Sequence, residues 1–372
     1  MLTVREIEDK DFAALSEFLP KGFPYTTKEF WLPLFDMWWV SNPAYQDGFP
    51  RGWVLETETS IAGFIGNIPV KFSHQGNLRI AALSNSWYVD PQVRGIFSLR
   101  LFNEFIRQKH ASFLLFKKDD ESLGGLMDTY MFQEYVLPNN QEEYVYIIDK
   151  KKVDFIFLRF LLKLRIPKFS ELSSVGKKFI SLLSAYLYQK PVLRKGHPGD
   201  AAYVSSLCTE CDEAFVRLWE PCLNACDTTL SRDRETLNWL YFSPARLYKR
   251  VVIQCHRSRD KTLAGYMVFD VIRIHPSDVG ILKLVDICVE NSDPDVLASL
   301  TAHAITTGKE NNAALLIVWA HDQETEKYFK STFSIRMPAN YYRYIRSTGS
   351  ADTRTGVDHP GTVCLPMIYP PQ

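Results

Sequence analysis

The sequence has no excess of charge of either sign: 43 Lys and Arg are balanced by 43 Asp and Glu. Broad attraction to nucleic acid or to an anionic membrane is therefore not expected. Long apolar runs are also missing. The nearest, FIFLRFLLKLRI from Phe155 to Ile166, is interrupted by Arg159, Lys163 and Arg165. It falls short of the roughly 18 apolar residues that a spanning helix needs. The opening MLTVREIEDKDF alternates and carries charge where a secretory signal has an apolar centre. These absences lead to the expectation of a cytoplasmic protein with no stable membrane span.

Cysteine is sparse and odd in number, seven in all, which argues against a disulfide framework. Cys208, Cys211, Cys222 and Cys226 lie close together, with the C-x2-C and C-x3-C spacings that invite a zinc reading. No Gly-rich knuckle surrounds either pair. The same i,i+3 and i,i+4 spacings put both pairs on buried helix faces among Leu207, Val216, Leu218 and Leu223. His275, His303 and His321 share no metal-ligand spacing either, so no metal site is expected.

What is present divides the chain in two. A length of 372 residues suits two domains, each able to bury its own core. Hydrophobic residues at 46% and charged residues at 23% fit a soluble globular protein. The first half reads as a strand at TVREI, then a helix from Asp11 to Leu19 capped by Asp9 or Asp11. A second helix, EFWLPLFDMWW, ends at Ser41-Asn42-Pro43. Three strand-like runs follow: WVLET, IAGFIGNIPVKF and LRIAALSNSWYV. After the loop DPQVRG come a helix (IFSLRLFNEFIRQK), a strand (SFLLF), a helix around GLMDTYMF and a strand (EEYVYIID). Mixed strands with helices on both faces indicate an α/β fold, an α+β mixed sheet in layers.

The second half repeats this order. Trp239 and Pro244 echo Trp39 and Pro43. Leu263-Ala264-Gly265-Tyr266 echoes Ile61-Ala62-Gly63-Phe64, and ILKLVDICVE echoes RIAALSNSWYVD. DVLASLTAHAITTGK echoes FSLRLFNEFIRQK, AALLIVWA echoes SFLLF, and YFKSTF echoes YMFQEY. Six matches in one order, at an offset near 200 residues, mark a duplication. The expected division is a domain over 1–150, a helical connector over 151–195, a second domain over 196–346 and a tail over 347–372. The connector's FIFLRFLLKLRI and FISLLSAYLY suit a membrane surface or, more commonly, packing against the joined domains.

One loop carries chemistry. Asp90-Pro91-Gln92-Val93-Arg94-Gly95-Ile96-Phe97-Ser98 joins a strand to a helix. Such a turn aims several unpaired backbone N–H groups at one spot, and the helix dipole adds positive potential there. That arrangement binds phosphate. Gly95 lets the backbone approach closely, and Arg94 adds charge. The same residues would also make an ordinary βα turn.

The run W-Y-V-D-P-Q-V-R-G resembles the central-strand end and pyrophosphate loop of the GNAT acyl-CoA N-acyltransferases, whose pattern is Q/R-x-x-G-x-G/A. Gln92, Arg94 and Gly95 match, whereas Phe97 stands where Gly or Ala is usual. The resemblance implies two GNAT-like domains in tandem, each a central mixed β-sheet flanked by helices. It implies acetyl-CoA, or another acyl-CoA, as co-substrate. Gln92, Val93, Arg94, Gly95, Ile96, Phe97 and Ser98 would hold the pyrophosphate. Backbone groups near Trp87, Tyr88 and Val89 would hold the pantetheine and polarise the thioester. Tyr130 fits the family's L-Y-x-x-x-G-F motif, with Glu134 in place of Gly and Tyr135 at the aromatic end, and would be the general acid. Asp90, or the acidic run Asp119, Asp120 and Glu121, would act as base through water.

The second half keeps Tyr328 and Phe333 of that motif. Its loop, Glu290-Asn291-Ser292-Asp293-Pro294-Asp295, lacks Arg and Gly and adds acids where phosphate would sit. The first domain is thus expected to bind CoA and the second not. The implied reaction is transfer of an acyl group to the amine of a small molecule or sugar intermediate. Two other readings stand beside it: an aminoacyltransferase resembling the peptidoglycan-bridge enzymes, or a non-catalytic ligand-binding protein on a duplicated GNAT scaffold.

Overall fold

The computed structural model describes residues 2–24, 26–74, 76–117, 124–136, 142–153, 202–225, 228–243, 249–274, 279–320, 322–333, 335–338 and 342–348. Most of the connector, the acidic run 119–121, Cys226, His275, His321, Pro244 and the tail beyond 348 lie outside them. The described residues fall into two compact units. One is drawn from 1–137, 219–247 and 341–372, the other from 138–218 and 248–340.

The first unit begins with β1 (Thr3–Glu6), α1 (Asp11–Phe18) and α2 (Lys28–Phe35), the last continuing as a π-helical turn over Asp36–Val40. Then come β2 (Gly52–Glu56), β3 (Ile61–His74), β4 (Asn77–Val89), α3 (Ile96–Arg107), β5 (Phe113–Lys117), α4 (Gly124–Thr129) and β6 (Gln133–Val136). The second unit opens with β7 (Glu142–Ile147) and β8 (Tyr203–Cys208). Next in the chain are α5 (Glu213–Ala225), β9 (Thr228–Leu230) and α6 (Arg234–Phe242). The remainder is β10 (Lys249–Arg257), β11 (Leu263–Ile274), β12 (Val279–Val289), α7 (Pro294–Glu310), β13 (Ala313–Trp319), α8 (Gln323–Thr332), β14 (Ile335–Pro338) and β15 (Tyr342–Ser347).

The first sheet runs β1-β2-β3-β4-β5-β15-β6, and β9 pairs with the far end of β3. The second runs β14-β7-β13-β12-β11-β10-β8. In each, among the described residues, the only parallel pair is the central one, β4 with β5 and β12 with β13. The echoes Ile61–Phe64 and Leu263–Tyr266 therefore open equivalent strands, β3 and β11. The glycines they share have one cause. A Cβ at Gly63 would lie 2.9 Å from Leu101 of α3, and one at Gly265 would lie 2.8 Å from Val296 of α7.

The last strands are traded. β7, from the N-terminal half, pairs with β13 and β14. β15, from the C-terminal end, pairs with β5 and β6. The linear division at 150 and 196 is crossed by both exchanges. α6 also departs from it: its Trp239 indole donates to Met37 O at 2.7 Å, inside the first unit.

The first sheet is covered on both faces, which explains the unbroken apolar run of β5. Leu101, Phe102 and Phe105 of α3 pack on Trp53, Leu55, Ala82, Val89, Leu114 and Phe116. On the other face the aromatics of α1 and α2 interlock, with Trp31, Phe35 and Trp38 fully buried. Two local expectations are corrected. α1 has Lys10 at its N-cap with no side-chain cap; Asp11 lies one residue past the cap, and its buried carboxylate accepts from Glu8 N–H and from the half-buried Arg5. Cys208 and Cys211 share no helix: Cys208 ends β8 and Cys211 lies buried before α5.

Candidate acyl-CoA site

β4 and β5 pair only at Ala81–Leu83, with Phe113–Leu115. Beyond Leu83, β4 continues for six residues, whereas Phe116 and Lys117 of β5 pair with β15 alone, so the two strands part. A bulge accompanies the parting. Phe64 pairs with Tyr88 and Gly66 with Asn85, which leaves Ser86 and Trp87 opposite the single residue Ile65. Ser86 absorbs the extra residue with φ +57°. Bulges re-aim side chains and free backbone groups.

The loop after β4 is held by its own side chains. Asp90 Oδ1 accepts from Gln92 N–H at 2.9 Å, and Asp90 O accepts from Val93 N–H at 3.0 Å. Arg94 Nε donates to Val89 O at 2.8 Å, with its guanidinium 5.8 Å from the Tyr88 ring centre. Gly95 stands at φ +87°, ψ −119°, and no side chain caps α3 behind it. The first-turn N–H groups of Ile96, Phe97 and Ser98 therefore lack a cap, with no acid in that turn. The Phe97 ring packs on the α3 core, with the Arg100 guanidinium 5.0 Å from its centre.

The α3-side wall of the opening is aromatic. Trp87 stacks on Phe102 at 5.1 Å and meets Phe116 edge-on at 6.1 Å. Tyr130, just past α4, meets Phe102 edge-on at 5.3 Å. One aromatic cluster thus brings together Trp87 and Tyr130, 43 positions apart in the sequence. Asp90 serves the loop turn instead. Two buried donors near the bulge, Asn85 Nδ2 and Trp87 Nε1, have no hydrogen-bond partner. Ser84, Asn85 and Ser86 escaped the sequence reading, although three adjacent polar residues in an otherwise apolar strand were a usable signal.

The second unit has the same frame with the opposite chemistry. β12 bulges against β11 between Val268 and Phe269. The last residue of β13, Trp319, donates its indole N–H to Leu284 O of β12 at 3.0 Å, bridging the space where these strands part. α7 is capped by Asp293, which accepts from Asp295 N–H at 2.8 Å and also from Tyr203 at 2.8 Å. Pro294 fills the first turn, and Asp295 adds a second acid. Tyr328 lies on α8 against the second core, where burial raises its hydroxyl pKa.

Solved structures share this architecture over most of the chain. A conserved Enterococcus faecalis V583 protein of unknown function, described as a probable N-acyltransferase, superposes with a TM-score of 0.54 at 10% identity, covering 93% of this chain and 72% of that one. A GCN5-related N-acetyltransferase from Anabaena variabilis ATCC 29413 gives 0.56 at 10%, covering 94% and 73%. The chain has the GNAT N-acyltransferase fold, in two copies. Saccharomyces cerevisiae N-myristoyltransferase with bound myristoyl-CoA gives 0.53 at 12%, covering 92% and 82%. No family model and no curated protein sequence matches the chain. Among the described residues of the two GNAT units, no cluster of His, Cys, Asp or Glu is placed to hold a metal. No helix among them is long and apolar enough to cross a membrane.

Proposed function

We propose that this chain is an acyl-CoA N-acyltransferase that moves an acyl group, acetyl in the simplest case, directly from CoA to an amine of a small molecule. The carrying observation is the contrast between the two helix N-termini. α3 follows a glycine at positive φ and presents uncapped N–H groups with no acid in its first turn, and Arg94 directly precedes that glycine. α7 meets its own need with Asp293 and excludes a further anion with Asp295. Anions bind at the first kind of terminus and are repelled by the second. CoA accordingly occupies the first unit, with pyrophosphate at Gln92–Ser98 and pantetheine along Trp87–Val89.

The amine nitrogen attacks the thioester carbon, the carbonyl electron pair moves to oxygen, and collapse expels the CoA thiolate. The amine gives up one proton and the thiolate takes one. Tyr130 donates to the thiolate. Asp90 remains a proposed base through water, although its carboxylate also shapes the loop. No covalent enzyme intermediate is needed.

Calorimetric titration of the purified chain with CoA and with acetyl-CoA tests this reading. One equivalent is expected to bind, and ligand at ~100 times its dissociation constant should raise stability by about 2.7 kcal/mol. Absence of binding by both ligands refutes the reading, and two equivalents refute the silence of the second unit.

A further inference from the structure

Asn85 is buried, with 9% of its surface exposed. Its Oδ1 accepts the Ser86 hydroxyl at 3.3 Å, whereas its Nδ2 has no partner. A buried amide donor left unmet costs free energy that an apolar residue would avoid. The position is also specific. Asn85 is two residues past Leu83, the last β4 residue paired with β5, and directly precedes the bulged Ser86. The second unit shows what the fold uses without a ligand. Val89 and Val289 pair with the equivalent glycines Gly63 and Gly265. Asn85 lies opposite Gly66, whose equivalent in β11 is Val268, and Val268 lies opposite Asp286, a buried carboxylate that accepts from Ile287 N–H at 2.9 Å. The first unit thus has an unmet donor at this place, and the second has an acceptor already engaged by its own strand.

We propose that the Asn85 side chain donates its free N–H to the thioester carbonyl oxygen of bound acyl-CoA, and so holds the negative charge that develops there as the amine attacks. This rests on the acyl-CoA reading above. As the C–N bond forms, the carbonyl pair moves onto oxygen and the Asn85 N–H bonds to it. When the C–S bond breaks, the pair returns and the thiolate leaves with one proton. No oxidant or further reactant enters. Asn85 is a catalytic residue in this scheme because it touches the reacting oxygen. Donors aimed at such an oxygen are usually worth ~10²–10³ in rate.

The test needs no acceptor. Acetyl-CoA is compared with S-ethyl-CoA, a thioether that lacks only the carbonyl oxygen, by calorimetry on the full chain. Wild type should prefer acetyl-CoA by roughly 2- to 13-fold, the yield of one neutral hydrogen bond. Asn85→Leu should lose most of that preference while its affinity for CoA, which has no acyl group, is unchanged. Because Leu differs in shape, Asn85→Ala is run beside it, and CoA affinity certifies the fold of both. A preference that survives in either variant that binds CoA as wild type does overturns the inference, as does a wild type that binds CoA with no preference. A wild type that fails to bind CoA at all refutes the acyl-CoA reading and takes this inference with it.

Discussion

Replacing Gly95 by valine isolates the phosphate-loop geometry from the rest of the fold. Gly95 holds φ +87° and ψ −119°, a region that L residues avoid. A Cβ added there meets nothing within 4 Å, so the whole penalty is backbone strain. Residues forced into such regions cost about 1–3 kcal/mol. The loop escapes this cost by moving to an allowed φ, and the N–H groups of Ile96–Ser98 then no longer converge. If binding needs the strained form, apparent affinity falls by the fraction that still adopts it. One to three kcal/mol corresponds to a roughly 5- to 150-fold rise in the CoA dissociation constant, with Gly95→Ala nearer the low end. Gly76 supplies the control. It lies in the β3–β4 turn at φ +74°, also with open space around its Cβ. Gly76→Val should lower the melting temperature by a comparable strain yet leave CoA affinity alone. Calorimetry and thermal melts on the three variants read both quantities. CoA affinity within twofold of wild type for Gly95→Val would refute the assignment of the loop. Equal losses at Gly95 and Gly76 would show that the effect is global.

Two further predictions concern chemistry and architecture. Tyr130→Phe keeps the ring packed on Phe102 and removes one proton donor, so kcat should fall by about 10²–10⁴ with CoA affinity nearly unchanged. Tyr328→Phe should leave the rate alone. Thiol release with a panel of amines is the assay, and a larger loss at Tyr328 would mean that the wrong unit has been taken as catalytic. Ending the chain after Pro338 removes β15 and with it, among the described residues, every strand pairing of β6. The first unit should then lose both CoA binding and its cooperative melting transition, and retention of both would refute the strand exchange.

Element order was legible because it rests on local pattern. The run IAGFIGNIPVKF reads as a buried strand wherever it sits, and the spacing of Leu101, Phe102 and Phe105 reads as a helix face. The duplication was legible because the same close helix approach needs glycine at Gly63 and Gly265. The loop at Arg94-Gly95 was legible because a positive φ leaves few choices of residue. Pairing partners were not legible. EEYVYI and YRYIRS present the same strand signature to either sheet, and which edge each joins depends on segments some 200 residues apart in the chain. Cys208 illustrates the limit of spacing arguments: i,i+3 fits a helix, but YVSSLC opens on two strand formers, Tyr203 and Val204, and pairs with β10. Asn85 was visible as a polar interruption, yet its meaning needed the bulge and the missing partner, both of which are tertiary facts.

The exchange of β7 and β15 sets a schedule for biosynthesis. The β4–β5 opening forms from residues made well before β15, the strand that joins β5 to β6. At roughly 5–20 residues per second, about 200 residues of synthesis separate β6 from β15 by some 10–40 seconds. Through that interval the inner edges of β5 and β6 have no β15 to pair with, and open edges invite pairing with other chains. A chaperone that shields strand edges would therefore find a target here until the first sheet is complete.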